Sequence, residues 1–208
     1  MCIISKVTNT KLKNQTINTY DKSARFHAAK FDKMGPRVKD IKQSFSLVKK
    51  KNPKTIELGC GNGRDAAEIV KYTSDYLGID LSNELIKIAK KKLHDKYFKV
   101  ADIESFKFPQ GLDIVFSFAS LLHSDKNSIK KILSRIYKKM NQGGIVFISL
   151  KYDKYQERLI DKESQGPKTF FFYTPYDIKE IAEGFRSIYE DTQTLNNQKW
   201  FSLILQKK

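Results

Sequence analysis

Glu57-Leu58-Gly59-Cys60-Gly61-Asn62-Gly63 is the stretch that decides the fold. It closes a short apolar run, Thr55 to Leu58, and leads into Asp65 to Tyr72, where Ala66, Ala67, Ile69 and Val70 suit one packed face of a helix. A glycine turn between a strand and a helix lies at the carboxyl end of the strand. In open α/β sheets that end is the ligand crevice. Glycine lets backbone approach a ligand and tolerates positive φ. The spacing is G-x-G-x-G followed by Arg64, which departs from the G-x-G-x-x-G of dinucleotide binders. No Gly-Lys-Ser/Thr follows, so a Walker-type phosphate loop is excluded.

Outward from this turn the chain alternates strands and helices. Tyr76 to Asp80 reads as a second strand, and Ser82 caps a helix that buries Leu85, Ile86, Ala89 and Leu93. Tyr97 to Ala101 and Leu112 to Phe118 read as the third and fourth strands. A helix from about Asp125 to Met140 carries Ile129, Ile132, Leu133, Ile136 and Met140 at helical spacing. Asn141 to Gly144 ends it, and Ile145 to Leu150 is the fifth strand. Thr174-Pro175-Tyr176-Asp177 combines a cap, a first-turn proline and a first-turn acid, so it starts another helix. Two last strands, around Ser187–Asp191 and Lys199–Gln206, are joined by the polar turn Gln193–Asn197, which suits an antiparallel hairpin. Nearly continuous apolar strands between helices imply a parallel sheet covered on both faces. The expected fold class is α/β, a mostly parallel seven-stranded sheet with a C-terminal antiparallel hairpin.

Three further features fall at strand ends. Asp80 ends the second strand, where a carboxylate can accept both ribose hydroxyls. Asp102-Ile103 ends the third, and Ser117-Phe118-Ala119-Ser120 ends the fourth. Together with the glycine turn they resemble the class I, Rossmann-like S-adenosylmethionine-dependent methyltransferases, well over residues 55–150 and more loosely outside. The resemblance implies S-adenosylmethionine as cofactor. Gly59, Gly61 and Gly63 would wrap its methionine part, and Glu57 would hold the loop or a water beside its amine. Asp80 would bind the ribose, Leu81 would cover the adenine, and Asp102 with Ile103 would read the adenine edge. A carbonyl of Phe118 or Ala119 would meet the amino group.

The acceptor is narrowed by missing motifs. No Asn/Asp-Pro-Pro-aromatic run follows the fourth strand, neither cysteine follows a proline, and no paired glutamates or carboxylate cluster stand there. The remaining likeness is to small-molecule O-, N- or S-methyltransferases. Tyr20-Asp21 looks like that group's N-terminal lid, with Tyr20 touching the cofactor carboxylate and Arg25 pairing with it; Arg25 as a plain exposed helix charge is the alternative. His123, just past Leu121-Leu122, is the candidate catalytic base, with helix capping as its alternative role. His27 and His94 read as helix-surface residues. The polar insert Lys151–Lys168 precedes Thr169-Phe170-Phe171-Phe172-Tyr173, which walls a substrate pocket or belongs to the core.

Length and charge set the frame. The chain has 208 residues, 39 Lys+Arg against 23 Asp+Glu, and a formal net charge of +16. Residues 1–54 hold 14 basic and 3 acidic residues, a balance of +11, and 55–208 carry the remaining +5. We therefore divide the chain into a basic N-terminal arm and helical lid (1–54) and a cofactor-binding domain (55–208). Residues 22–34 and 36–50 read as helices, and residues 1–19, with weak periodicity, as a flexible arm. The basic lid favours an anionic acceptor, and it keeps a tRNA-modifying enzyme as the alternative reading, with a non-catalytic cofactor-binding module as another. Only 6 of the 39 basic residues are arginine, the usual choice for bidentate phosphate contacts, so plain lysine-rich surface also fits. With Cys2 and Cys60 alone, neither a disulfide framework nor a cysteine metal site is expected. No apolar run reaches membrane-helix length, and a reduced cytoplasmic location is expected.

Overall fold

The computed structural model describes residues 3–162 and 166–208, with side chains from residue 11 onward except residue 162; Cys2 lies outside the described residues. Three helices come first: α1 (Ile3–Lys22), α2 (Ala24–Met34) and α3 (Val38–Leu47). Then follow β1 (Thr55–Leu58), α4 (Ala66–Ile69), β2 (Tyr76–Asp80), α5 (Asn83–Lys92), β3 (Phe98–Val100) and β4 (Leu112–Phe118). After a short 3-10 turn at Leu121–His123 come α6 (Lys126–Lys139), β5 (Met140–Lys151), β6 (Gln156–Lys162), β7 (Gly166–Phe172), α7 (Pro175–Ile181), β8 (Phe185–Leu195) and β9 (Gln198–Lys207).

Seven strands form one sheet in the order β3-β2-β1-β4-β5-β9-β8. The first five are parallel, and β9 and β8 add antiparallel. This is the expected architecture, and its cause is visible in the burial pattern. Every residue of β1 and β4 is buried, because both lie mid-sheet with helices on each face. Val146, Ile148 and Leu150 of β5 point into the core shared with α6 and α7, whereas Ile145 and Phe147 point into the core shared with α3, α4 and α5. That alternation is the two-residue period of a strand. α7 starts on the expected capping box: Thr174 Oγ1 accepts from Asp177 N–H (3.2 Å), and Thr174 N–H donates to Asp177 (2.8 Å).

The structure corrects three expectations. Within residues 1–19, the described part from Ile3 belongs to α1 and is no flexible arm. This helix has no apolar stripe to betray it; its buried side chains include Thr16 and Thr19, which are polar. The insert after β5 is a second, two-stranded sheet of β6 and β7. The final hairpin turns more tightly than expected, on Asn196 and Asn197 alone, with φ of 49° and 60°. Two left-handed residues match the twist of a two-residue hairpin, and asparagine tolerates that conformation.

Candidate active site

The carboxyl ends of the central strands open on a cleft of about 1030 Å³, roofed by α1 and walled by α2, β7 and the β8–β9 turn. That exceeds the ~300–1,000 Å³ of a typical small-ligand pocket, leaving room for a cofactor and a small second molecule.

The glycine turn is locked to two neighbouring strand ends. Gly59 has φ of +69°, and a Cβ there would stand 2.3 Å from the Ser120 Cβ. Ser120 Oγ donates to the Leu58 carbonyl (2.6 Å), which pulls the end of β4 against the turn. Ala119, between them, sits at φ of 60°, a strained position for a residue with a side chain. Gly61 N–H donates to one oxygen of Asp80 (2.9 Å), and Ser82 N–H donates to the other (2.8 Å). Burial pushes the Asp80 carboxyl up, and these backbone donors pull it back down. Glu57, almost fully buried beneath the turn, accepts from the Tyr76 hydroxyl (2.6 Å). Burial, with Asp65 nearby, pushes its carboxyl well above the usual range.

Glu57, Gly59, Gly61, Asp80, Leu81, Asp102, Ile103, Phe118 and Ala119 all line the cleft. Gly63 is not among the lining residues. A Cβ there would meet Ala89 Cβ and Phe98 Cζ, each at 3.1 Å, so this glycine serves the packing of the loop on α5 and β3. Arg25 is exposed on α2 and is likewise absent from the lining, because α2 turns Ala24, His27 and Ala28 inward instead. Arg37 lines the cleft, with its guanidinium 5.4 Å from the Phe118 ring centroid. Among the described residues, Arg37 Nε and Asn62 Oδ1 are buried without a hydrogen-bond partner, a donor and an acceptor in the cleft wall.

α1 crosses the cleft and is fastened at its middle and at its C-terminal end. Lys13 Nζ lies 2.8 Å from both oxygens of Asp102 and 3.3 Å from Glu104. Asp21 accepts from Ser82 Oγ (2.6 Å) and Glu84 N–H (3.2 Å) at the start of α5. On the far side, Thr16 Oγ1 accepts from Thr169 N–H (3.1 Å), and Thr19 Oγ1 donates to the Pro167 carbonyl (2.7 Å).

Tyr20 and His123 meet inside this roof. His123 Nδ1 is 2.6 Å from the Thr169 carbonyl, which only accepts, so Nδ1 carries the proton. Nε2 then accepts from the Tyr20 hydroxyl at 3.0 Å. Burial, with the nearby Lys151 and Lys168, lowers the His123 pKa to about 4 against the Thr169 hydrogen bond. Burial raises the Tyr20 phenol, with Asp80 adding to the effect. Both groups are therefore neutral near pH 7, and the lone pair expected to act as a base is already engaged. His27 also departs from expectation: it is buried beside Tyr20 at 4.8 Å between ring centroids, with Lys168 Nζ 3.1 Å from its Nε2. Burial and Lys168 push it down to about 4. The aromatic run divides its roles. Phe172 and Tyr173 are core, and Phe170 faces the cleft with its ring 4.9 Å from His123.

Lys13 and Arg37 were missed in the sequence. Each acts through a partner far along the chain, and nothing local marks it.

Comparison with known proteins agrees with this geometry. A methyltransferase domain family matches residues 56–144. The chain is 29% identical over 161 residues to phosphoethanolamine N-methyltransferase 2 of Caenorhabditis elegans, covering 72% of this chain and 35% of the relative. It is 30% identical over 118 residues to a ubiquinone biosynthesis O-methyltransferase of Pelagibacter ubique, covering 54% of this chain and 48% of the relative. The chain thus spans less than half of either curated relative. Among solved structures, it superposes on 1,6-didemethyltoxoflavin-N1-methyltransferase of Burkholderia thailandensis with a TM-score of 0.69 at 14% identity, over 94% of this chain and 89% of that one. An S-adenosylmethionine-dependent methyltransferase of Methanosarcina mazei gives 0.67 at 18% identity, over 76% and 93%. At such identities the structures speak for the fold alone. The match to a methyltransferase domain thus covers residues 56–144, within a fold shared with solved S-adenosylmethionine-dependent methyltransferases.

Proposed function

We propose that the protein transfers a methyl group from S-adenosylmethionine to a small acceptor. The observation that carries this reading is Asp80, whose two oxygens hold Gly61 and Ser82 N–H at the mouth of the crevice. Each carboxylate oxygen has a second lone pair left for a ribose hydroxyl. Gly59 and Gly61 would border the methionine part, Leu81 and Ile103 the adenine faces, and Asp102 the adenine edge. A carbonyl of Phe118 or Ala119 would take the amino group. Arg37, in place of Arg25, is the residue for the carboxylate, and the unpartnered Arg37 Nε and Asn62 Oδ1 give this wall the polarity of an amino-acid end.

When bound, the cofactor would supply a methyl carbon activated by a positively charged sulfur, which is a good leaving group because it departs as a neutral thioether. The chain's own work is alignment and exclusion of water. The α1 roof closes the cleft, and Tyr20, fixed by His123, presents a neutral hydroxyl to it. With a pKa near 4, His123 takes up a proton poorly at neutral pH, so its main part is to position Tyr20. The names of the relatives, which methylate nitrogen or oxygen of small molecules, support a small acceptor. We place the protein in the cytoplasm; among the described residues, no helix is long and apolar enough to cross a membrane.

Calorimetry with S-adenosylhomocysteine tests the reading. Wild type binds, and Asp80→Asn weakens binding by about ten- to a hundredfold, the worth of one or two charge-assisted hydrogen bonds. Absence of binding by wild type sinks the proposal. Turnover with labelled cofactor on metabolite pools and on tRNA then separates a small acceptor from the tRNA alternative.

A further inference from the structure

The last hairpin reaches past the strand it pairs with. The β5–β9 ladder ends where Lys151 faces Trp200, and β8 and β9 run on together through Thr194–Lys199 to Leu195–Gln198. Directly opposed residues of an antiparallel pair share a face, as do alternate residues of one strand. Lys151, Trp200, Gln198 and Leu195 therefore stand on one face of β5, β9 and β8, and all four line the cleft. The same wall continues inward. Lys151 Nζ lies 3.9 Å above the Phe170 ring centroid, and the Phe170 ring is 4.9 Å from that of His123.

Trp200 is the unusual member of this wall. It is the single tryptophan of the chain, packed against the edge of the main core and partly exposed. Among the described residues, no aromatic ring stacks on its indole, no cation sits over it, and its Nε1–H donates to no protein group. An indole offers a broad apolar face and one N–H donor, and both are usually committed where tryptophan is buried. Here both are left for a ligand, in a cleft roomy enough for a second molecule beside the cofactor. Leu195, 40% exposed at the hairpin tip, adds apolar surface on the same face.

We propose that Trp200 is the platform for the methyl acceptor and that the acceptor carries a flat aromatic ring. The inference rests on the methyl-transfer reading and deepens it. The ring lies against the indole, and its polar substituents turn towards the Phe170 end of the wall, where the Tyr20 hydroxyl and His123 meet. A planar partner is favoured over a merely apolar one because ring pairs attract beyond the area they bury. Trp200 positions the acceptor and takes no part in breaking the carbon–sulfur bond.

The test uses the full chain saturated with S-adenosylhomocysteine. It is titrated with phenol, and with cyclohexanol as a non-planar probe of similar size. Ligand-observed NMR gives the affinities, and the emission of the single indole, excited beyond the phenol band, reports contact at this wall. Wild type is expected to bind phenol about two- to tenfold more tightly than cyclohexanol, the worth of one ring pair, with a saturable change in emission. Trp200→Leu, which keeps an apolar side chain, should abolish that preference, and Trp200→Phe, which keeps a ring, should retain most of it. Both variants should hold S-adenosylhomocysteine within about twofold of wild type, which also shows that they are folded. Failure of wild type to bind S-adenosylhomocysteine overturns the methyl-transfer reading and the acceptor assignment with it. If that binding is intact, the ring platform alone is overturned by any of three results: no preference for phenol in wild type, wild-type emission that ignores bound phenol, or an undiminished preference in Trp200→Leu.

Discussion

Gly59 and Ser120 approach so closely that no side chain fits between them, and Gly59 is in the left-handed region as well. Gly59→Ala must push the end of β4 away while straining its own backbone. It should cost about 2–4 kcal/mol of stability, combining positive-φ strain with overpacking. Urea denaturation gives the number, and a midpoint equal to wild type would show that the strand end yields freely. At this scale the sequence told position better than mechanics. Gly59, Gly61 and Asp80 were legible because their spacing puts them at strand ends. Gly63 was grouped with them by spacing, although its constraint comes from Ala89 and Phe98, which only folding brings near. Arg25 and Arg37 are alike as letters, and only the way α2 faces tells the exposed one from the one in the cleft.

Among the elements, α1 shows why a polar helix escapes periodicity. Its hold on the domain is through Lys13, Thr16, Thr19, Tyr20 and Asp21, so there is no apolar stripe to read. The strands and helices from 55 to 150 were legible because they pack by apolar faces. β6 escaped for a related reason: its Glu157, Arg158 and Leu159 are exposed in a row, and nothing there alternates. The Lys13 bridge to Asp102 and Glu104 is only partly buried, with about a third of each side chain exposed. Pairs of that kind contribute roughly 0.2–1 kcal/mol. Lys13→Met should therefore speed release of S-adenosylhomocysteine by a modest factor, about two- to fivefold. Stopped-flow displacement measures it, and release at or below the wild-type rate would show that α1 is not latched by this residue.

For the molecule as a whole, the buried imidazoles set the response to acid. His27 and His123 have folded pKa values near 4, below the ordinary 6.5 that they regain on unfolding. Between those values the unfolded chain binds more protons, so stability falls as pH drops from about 6.5 towards 4. For His123 the loss is on the order of 2–3 kcal/mol. The raised Glu57 and Asp80 carboxyls act in the opposite sense, so the comparison must be with a variant. His123→Gln should lose less stability than wild type between pH 7 and pH 4.5 in denaturant titrations; equal losses would refute the assignment. The charge imbalance also looks different in the folded chain. Part of the +11 on residues 1–54 is met from within, by Lys13 on Asp102 and by Lys50 on Asp113. The order of the sheet carries one more consequence, for biosynthesis. β9 lies between β5 and β8, so the far edge of β5, with Ile145, Val146, Phe147 and Ile148, has no partner until residues 198–207 have been made. A nascent chain therefore carries an open apolar edge through the synthesis of β6, β7, α7 and β8, the interval in which a chaperone or a stray strand would find it.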